Sequence, residues 1–156
     1  MKKLDQMDRM ESRLLSILQS DASPSIAELA KQTNSSTATC WRRLRSLEER
    51  GVISPPVRLV DPAKVGCDMD AFCQVRMKSQ DAQSRETFKR AVEQEPKIVE
   101  VYSISGDWDY LLHILARDMG DVERILMSRV LELDCVAGTS TIFVMRRIKH
   151  TTQVPV

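Results

Sequence analysis

Between Ser35 and Arg45 the chain reads S-S-T-A-T-C-W-R-R-L-R, with hydroxyls first (Ser35, Ser36, Thr37, Thr39), then three arginines (Arg42, Arg43, Arg45), and no acid. Hydroxyls donate or accept at base edges and phosphates, and guanidiniums clamp phosphates or pair bidentately with guanine. That is chemistry suited to duplex DNA. The formal net charge is only +1, so such binding must come from a local patch and not from a basic body. The same residues also suit a solubilising face on a helical domain. A second cluster is Ser105-Gly106-Asp107-Trp108-Asp109-Tyr110. The backbone N–H groups of a glycine turn can take the carboxylate of an amino acid, and Asp107 or Asp109 its ammonium. Glycine and aspartate are equally the residues of an ordinary hairpin turn.

Other chemistries find no support. No Ser/His/Asp order, paired carboxylates, H-E-x-x-H or phosphate loop occurs. His113 alternates inside an apolar strand, as a satisfied core or interface histidine would, and His150 has no Cys or His nearby. Cys40, Cys67, Cys73 and Cys135 lie far apart with no C-x-x-C pair, so they read as reduced, structural thiols. We expect no enzyme, no cofactor and no metal.

The elements that must position these clusters follow from hydrophobic period. In the first 50 residues Met7, Met10, Leu14, Ile17 and Leu18 form one helical stripe. A short second helix opens at Ser25, whose spacing to Glu28 fits a capping box, with Ile26, Leu29 and Ala30 inward. Thr33-Asn34-Ser35-Ser36 is a turn in which Asn34 tolerates a left-handed backbone. A third helix from about Thr37 to Arg50, capped by Ser35 or Ser36 and ended by Gly51, buries Cys40, Leu44 and Leu47. Trp41, one turn from Leu44, is expected to pack. Three short helices with a four-residue turn before the third match a helix-turn-helix, whose third helix lies in the major groove.

Val52–Gly66 holds three prolines and a glycine and reads as a linker with Val57–Val60 extended. After it the period becomes two: Met69, Ala71, Cys73, Val75 and Met77 mark a strand with one buried face. Asp81–Glu95 is helix, with Phe88, Ala91 and Val92 inward. Ile98–Ser105 and Trp108–Ala116 are strands joined by a tight Gly106-Asp107 turn. Asp118–Leu133 is helix, striped by Val122, Ile125, Leu126, Val130 and Leu133, and Thr139–Ile148 is the last strand. The predicted fold class is α+β: a helix-turn-helix domain (residues 1–51), a linker (52–66), a ferredoxin-like βαββαβ effector and oligomerisation domain (67–150) and a polar tail (151–156). Charge divides along the same line, with nine basic and seven acidic side chains in residues 1–56 against fourteen and fifteen in 57–156.

Taken in order, L-D-Q-M-D-R, S-I-A-E-L-A, C-W-R-R-L-R-S-L-E-E-R-G-V-I, L-V-D-P-A-K-V-G, S-G-D-W-D-Y-L-L and F-V-M-R-R-I-K-H-T-T-Q-V-P resemble the Lrp/AsnC, or feast/famine, transcription regulators over nearly the whole chain. The resemblance implies a DNA-binding domain joined to an amino-acid-sensing one. It also implies dimers formed through the sheet domain and assembled into tetramers or octamers. It makes Ser105, Gly106, Asp107 and Asp109 effector contacts, with the last strand around Thr141 and Phe143 lining the same cleft. Three departures stand out: Ser36-Thr37-Ala38-Thr39 where many relatives have S-P-T-P, Asp134-Cys135 where Pro-Gly is frequent, and Pro55-Pro56-Val57 where Gly-Tyr is common.

The expected partners are therefore double-stranded DNA, a small effector such as an amino acid, and further copies of the chain. Two other classes compete. One is an architectural DNA-compacting protein without an effector. The other is a sirohaem-decarboxylase-like enzyme, which shares this two-domain plan but is disfavoured by a chain with two histidines. No apolar run approaches the ~20 residues of a membrane span, and MKKLDQMDRMESR lacks an apolar signal core. The expectation is a cytoplasmic protein without a membrane partner.

Overall fold

The computed structural model describes residues 7–156. Leu4, Asp5 and Gln6 of the first motif, and the start of the 1–51 domain, lie outside the described residues. The chain divides into two compact units: one ending at Arg58 and including Lys149–Val156, the other Leu59–Ile148. None of the described helices is long and apolar enough to cross a membrane.

In the first unit, α1 (Arg9–Leu18), α2 (Ile26–Gln32) and α3 (Thr37–Glu49) pack around Leu14, Leu29, Ala30 and Cys40, all essentially removed from water. Side-chain caps set each start: Asp8 accepts from Met10 and Glu11, Ser36 from Thr39, and Ser25 with Glu28 closes the expected capping box. The turn before α3 uses Asn34 at φ 51°, and Gly51 at φ 69° follows α3. The polar tail is not free of the fold. The Gln19 amide brackets Val154, accepting from its N–H at 2.6 Å and donating to its carbonyl at 3.2 Å.

In the second unit, β1 (Met69–Met77), β2 (Ile98–Ser103), β3 (Tyr110–Ala116) and β4 (Val136–Phe143) form an antiparallel sheet in the order β2-β3-β1-β4. This is the ferredoxin-like order. Alternation in β1 and β3 turns Ala71, Cys73, Val75, Leu112, Ile114 and Ala116 to one face, fully buried. There they meet Phe88 and Val92 of α4 (Ala82–Glu93), Val122 and Ile125 of α5 (Met119–Ile125), and Leu126 and Val130 just beyond it. The other face, carrying Phe72, Gln74, Leu111, His113 and Leu115, is only half-buried.

Several expected elements end differently. The last helix is α only to Ile125 and continues as a π turn over Leu126–Leu131. Leu126 and Val130, four residues apart, both stay on the core side. The last strand is Val136–Phe143, not Thr139–Ile148. It starts early because Val136 still pairs with Met77 across a bulge, and it stops where β1 runs out, Val144 N–H donating to Asp70. Val57–Val60 joins no sheet ladder, and a 3₁₀ turn, Pro62–Val65, follows it. The two-residue hairpin is in fact a six-residue loop, 104–109, closed by Ile104 N–H on the Asp109 carbonyl at 3.0 Å. Asp109 is drawn off the β2–β3 ladder because its own N–H donates to Val75 on β1 at 2.9 Å.

Candidate functional site

Ala38, Trp41, Arg42 and Arg45 fall within about 100° of arc at 100° per residue, and all four are exposed. Among the described residues Arg42 makes no ion pair, and Arg45 holds only Glu49 one turn on, at 3.1 Å. Arg43 faces the other way. Its guanidinium reaches Asp8 at 2.7 Å and Glu11 at 3.5 Å on α1, with Nε buried and unpartnered. Glu11 also holds Arg50 at 2.8 Å. The run of arginines thus divides into an outward pair and one brace between helices. Trp41, expected to pack, is 58% exposed. Cys40 and Leu47 are fully buried on the inward stripe, while Leu44, expected with them, is only half-buried at its edge, and the indole is rotated further out.

The hydroxyl candidates also separate. Ser36 accepts from the Thr39 N–H at 3.1 Å and donates to its hydroxyl at 2.9 Å, so Ser36 is engaged in the cap while the Thr39 hydroxyl keeps its own proton to donate. Ser35 is 3.0 Å from the Thr33 hydroxyl. Thr37 is exposed and makes no side-chain hydrogen bond among the described residues. The first turn of α3 carries no acid, so its dipole and free N–H groups face outward uncompensated.

In the sheet unit, Gly106 sits at φ 113° with nothing within 4 Å of where a Cβ would be. Ser105, Gly106 and Asp107 are exposed, and Asp109 is half-buried. The Asp109 carboxylate is engaged: it accepts from Met77 N–H at 2.6 Å and from the Gln80 amide. Arg76 donates to the Asp107 carbonyl at 3.0 Å and lies over the Trp108 ring, 4.8 Å from its centroid. Asp107 keeps its carboxylate free of hydrogen bonds among the described residues. Thr141 and Phe143 lie elsewhere, on a mainly apolar groove of about 280 Å³ with Met119, Val122, Leu126, Met127 and Leu131 and a single charged residue, Glu123. No residue of 105–109 lines that groove, so within one chain the two parts of the expected cleft stay apart. The methionines and the π turn that complete the groove were not singled out in the sequence, although Met119 and Met127 flank the apolar stripe.

His113 is satisfied as expected: Nε2 is 2.8 Å from Asp70, Nδ1 3.2 Å from Glu100, and the ring stacks on Phe72. All four cysteines are free thiols, and burial pushes those of Cys40 and Cys73 up. The polar group most deeply buried is one the sequence did not flag. Asp121 is fully buried and takes Lys97 at 2.6 Å through both oxygens and Arg124 at 2.6 Å. The Lys97 ammonium holds its carboxyl well below the usual range.

A three-helix unit presenting basic residues on its third helix, on one chain with a ferredoxin-like unit, defines a DNA-binding regulator with a sensor module. Comparison with known proteins agrees. Residues 7–54 match the winged helix-turn-helix DNA-binding family, and residues 70–154 the Lrp/AsnC ligand binding domain. The chain belongs to the Lrp/AsnC family of DNA-binding transcriptional regulators, which are not enzymes. It is 36% identical over 152 residues to the glutamate uptake regulatory protein of Zymomonas mobilis, covering 96% of this chain and 90% of that one. An AsnC family regulator from Agrobacterium tumefaciens superposes with TM-score 0.89 at 36% identity, covering 96% and 97% of the two chains. A transcriptional regulator of Neisseria meningitidis, solved as its L-Met complex, gives TM-score 0.90 at 28% identity, covering 96% of each.

Proposed function

We propose that the chain is a cytoplasmic homo-oligomer that binds double-stranded DNA through α3 and changes its assembly or DNA affinity when an amino acid with an apolar side chain binds. The observation carrying the DNA assignment is the outward pair Arg42 and Arg45, the latter tied only to the exposed Glu49, beside Thr37 at an acid-free helix start. In this reading Ser35, Ser36 and Thr39 shape that start, and Arg43 braces it. A single helix-turn-helix buries little surface, so two copies reading half-sites about one turn (~34 Å) or a multiple apart supply the affinity. The half-buried sheet face carrying Phe72, Leu111 and Leu115 suits pairing into dimers, which then assemble to tetramers or octamers.

For the effector, backbone N–H groups at Ser105 and Gly106 take the carboxylate and Asp107 the ammonium, with Asp109 fixing the loop. The side chain enters the groove of Thr141 and Phe143, contributed by another copy because one chain does not unite the two. The apolar lining favours an aliphatic or thioether side chain, in keeping with the L-Met complex of the Neisseria regulator. An effector acts at a distance only by binding one assembly state better than another.

The test is thermal stability of the full chain with each of the twenty amino acids. A ligand of the folded form at ~100 times its dissociation constant adds ~2.7 kcal/mol. Stabilisation by methionine, leucine or isoleucine and not by aspartate or lysine is expected. A hit confined to charged amino acids refutes the groove assignment, and no hit removes the amino-acid effector.

A further inference from the structure

The chain has two tryptophans, and they are placed very differently. Trp108 is half-buried beneath the Arg76 guanidinium. Trp41 stands 58% exposed in the middle of α3, and among the described residues no cation lies over its ring. An exposed indole is a large apolar surface left in water, and such surfaces are covered when a partner arrives. Its neighbours on the arc identify the partner. Ala38, one turn before, adds a second apolar patch, while Arg42 and Arg45 flank the pair with charges that no buried acid offsets. An apolar strip bracketed by two outward guanidiniums, that of Arg45 held only by the exposed Glu49, suits the major groove. There, guanine N7 and O6 accept from arginine, and the thymine 5-methyl group is the one apolar feature on a base edge.

We infer that Trp41 is a specificity-determining residue. Its indole, with Ala38 beside it, covers thymine methyl groups in the major groove, so that each half-site sets thymines next to guanines read by Arg42 or Arg45. The inference rests on the proposed reading that this face of α3 enters the groove. It adds base discrimination by an apolar contact to the affinity supplied by the arginines. Trp41 belongs to neither buried cluster and is not among the residues packed against them, so its substitution is expected to leave the three-helix unit folded.

The test uses duplexes that the full-length wild-type protein enriches from a random-sequence pool, resynthesised with single thymines replaced by deoxyuracil, which lacks only the methyl. Wild-type affinity is expected to fall about fourfold for each covered methyl. Trp41→Ala is expected to bind the thymine duplex roughly tenfold more weakly and to lose all discrimination between thymine and uracil. In a Trp108→Phe background, Trp41 fluorescence should become shielded from acrylamide when the selected duplex is added. If Arg42→Ala weakens binding while Trp41→Ala and uracil substitution change nothing, the inference is overturned and the reading of α3 stands. If neither variant changes binding, the reading of α3 itself fails. If Trp41→Ala alters assembly size by light scattering but not DNA affinity, the indole covers another copy of the chain, which also overturns the inference.

Discussion

Replacing Arg43 by alanine is expected to weaken the three-helix unit and to spare DNA contact, whereas replacing Arg42, its neighbour, does the reverse. The size of each effect follows from the partners. Arg43 holds Asp8 at 2.7 Å with both side chains about 40% exposed, so that pair is screened and contributes about 0.2–1 kcal/mol. Its second partner, Glu11, is 5% exposed but keeps Arg50 at 2.8 Å when Arg43 is gone. No buried charge is stranded. Arg43→Ala should therefore cost about 1 kcal/mol, lowering the transition of a unit this small by roughly 4–8 °C. Glu11→Gln removes the shared anion and leaves two guanidiniums without it. Breaking a fully buried pair costs about 3–5 kcal/mol. Because Arg43 and Arg50 remain 40% and 32% exposed, about 2–3 kcal/mol is expected here. Arg42→Ala should stay within about 0.5 kcal/mol of wild type. The assay is calorimetry of the full-length protein, with hydrogen exchange of α1 and α3 amides assigning the transition. DNA affinity is measured well below it. There Arg42→Ala lowers affinity and reduces the salt slope by about one, while Arg43→Ala leaves both close to wild type. An Arg43→Ala protein with unchanged stability and lost DNA binding refutes the division of the arginines.

Asp121 predicts a pH dependence in the sheet unit. Lys97 lowers its folded pKa below the ordinary 3.8, so its stabilisation is complete above that pH and is lost on acidification through the folded value. Melting temperature measured from neutral to acid pH should fall below pH 3.8, and Asp121→Asn should flatten that limb; an unchanged acid limb argues against the network. Gly106→Ala meets no atom but forces an L residue to φ 113°, a strain of roughly 1–3 kcal/mol. Gly138→Ala, at an ordinary φ with open space, should be tolerated, and equal melting temperatures for the two variants would show that the loop relaxes freely. Asp109→Ala leaves the Met77 N–H without its acceptor, costing about 1–3 kcal/mol, whereas Asp109→Asn keeps one. Titrating effector against both variants decides its role, because loss of response in the asparagine variant would make Asp109 an ammonium ligand and not a positioning residue.

The sequence alone determined those features whose causes lie within a few residues of one another. The capping box of Ser25 and Glu28, the left-handed Asn34 and the glycine after α3 are local hydrogen-bond and steric requirements, legible as residue types at fixed offsets. The alternation Ala71-Cys73-Val75 and the stripe Val122-Ile125-Leu126 likewise state which side faces a core, because period follows from backbone geometry. The order of strands and helices then restricts the sheet to few topologies. Tertiary structure decided what depends on residues distant in sequence. Arg42 and Arg43 are the same residue type one step apart, yet only the packing of α1 against α3 brings Asp8 and Glu11 to Arg43 and leaves Arg42 without an ion pair among the described residues. Trp41 flanks the inward stripe on a helical wheel, and only the packed structure shows that the core takes Cys40 and Leu47 and leaves the indole largely in solvent. Asp109 reads as a turn residue until β1 supplies Val75 and Met77 as its partners. Thr141 and Phe143 become walls of a groove only where the π turn and two methionines close over them. A side chain's type is written in the chain, but its partner is set by the three-dimensional neighbours that compete for it.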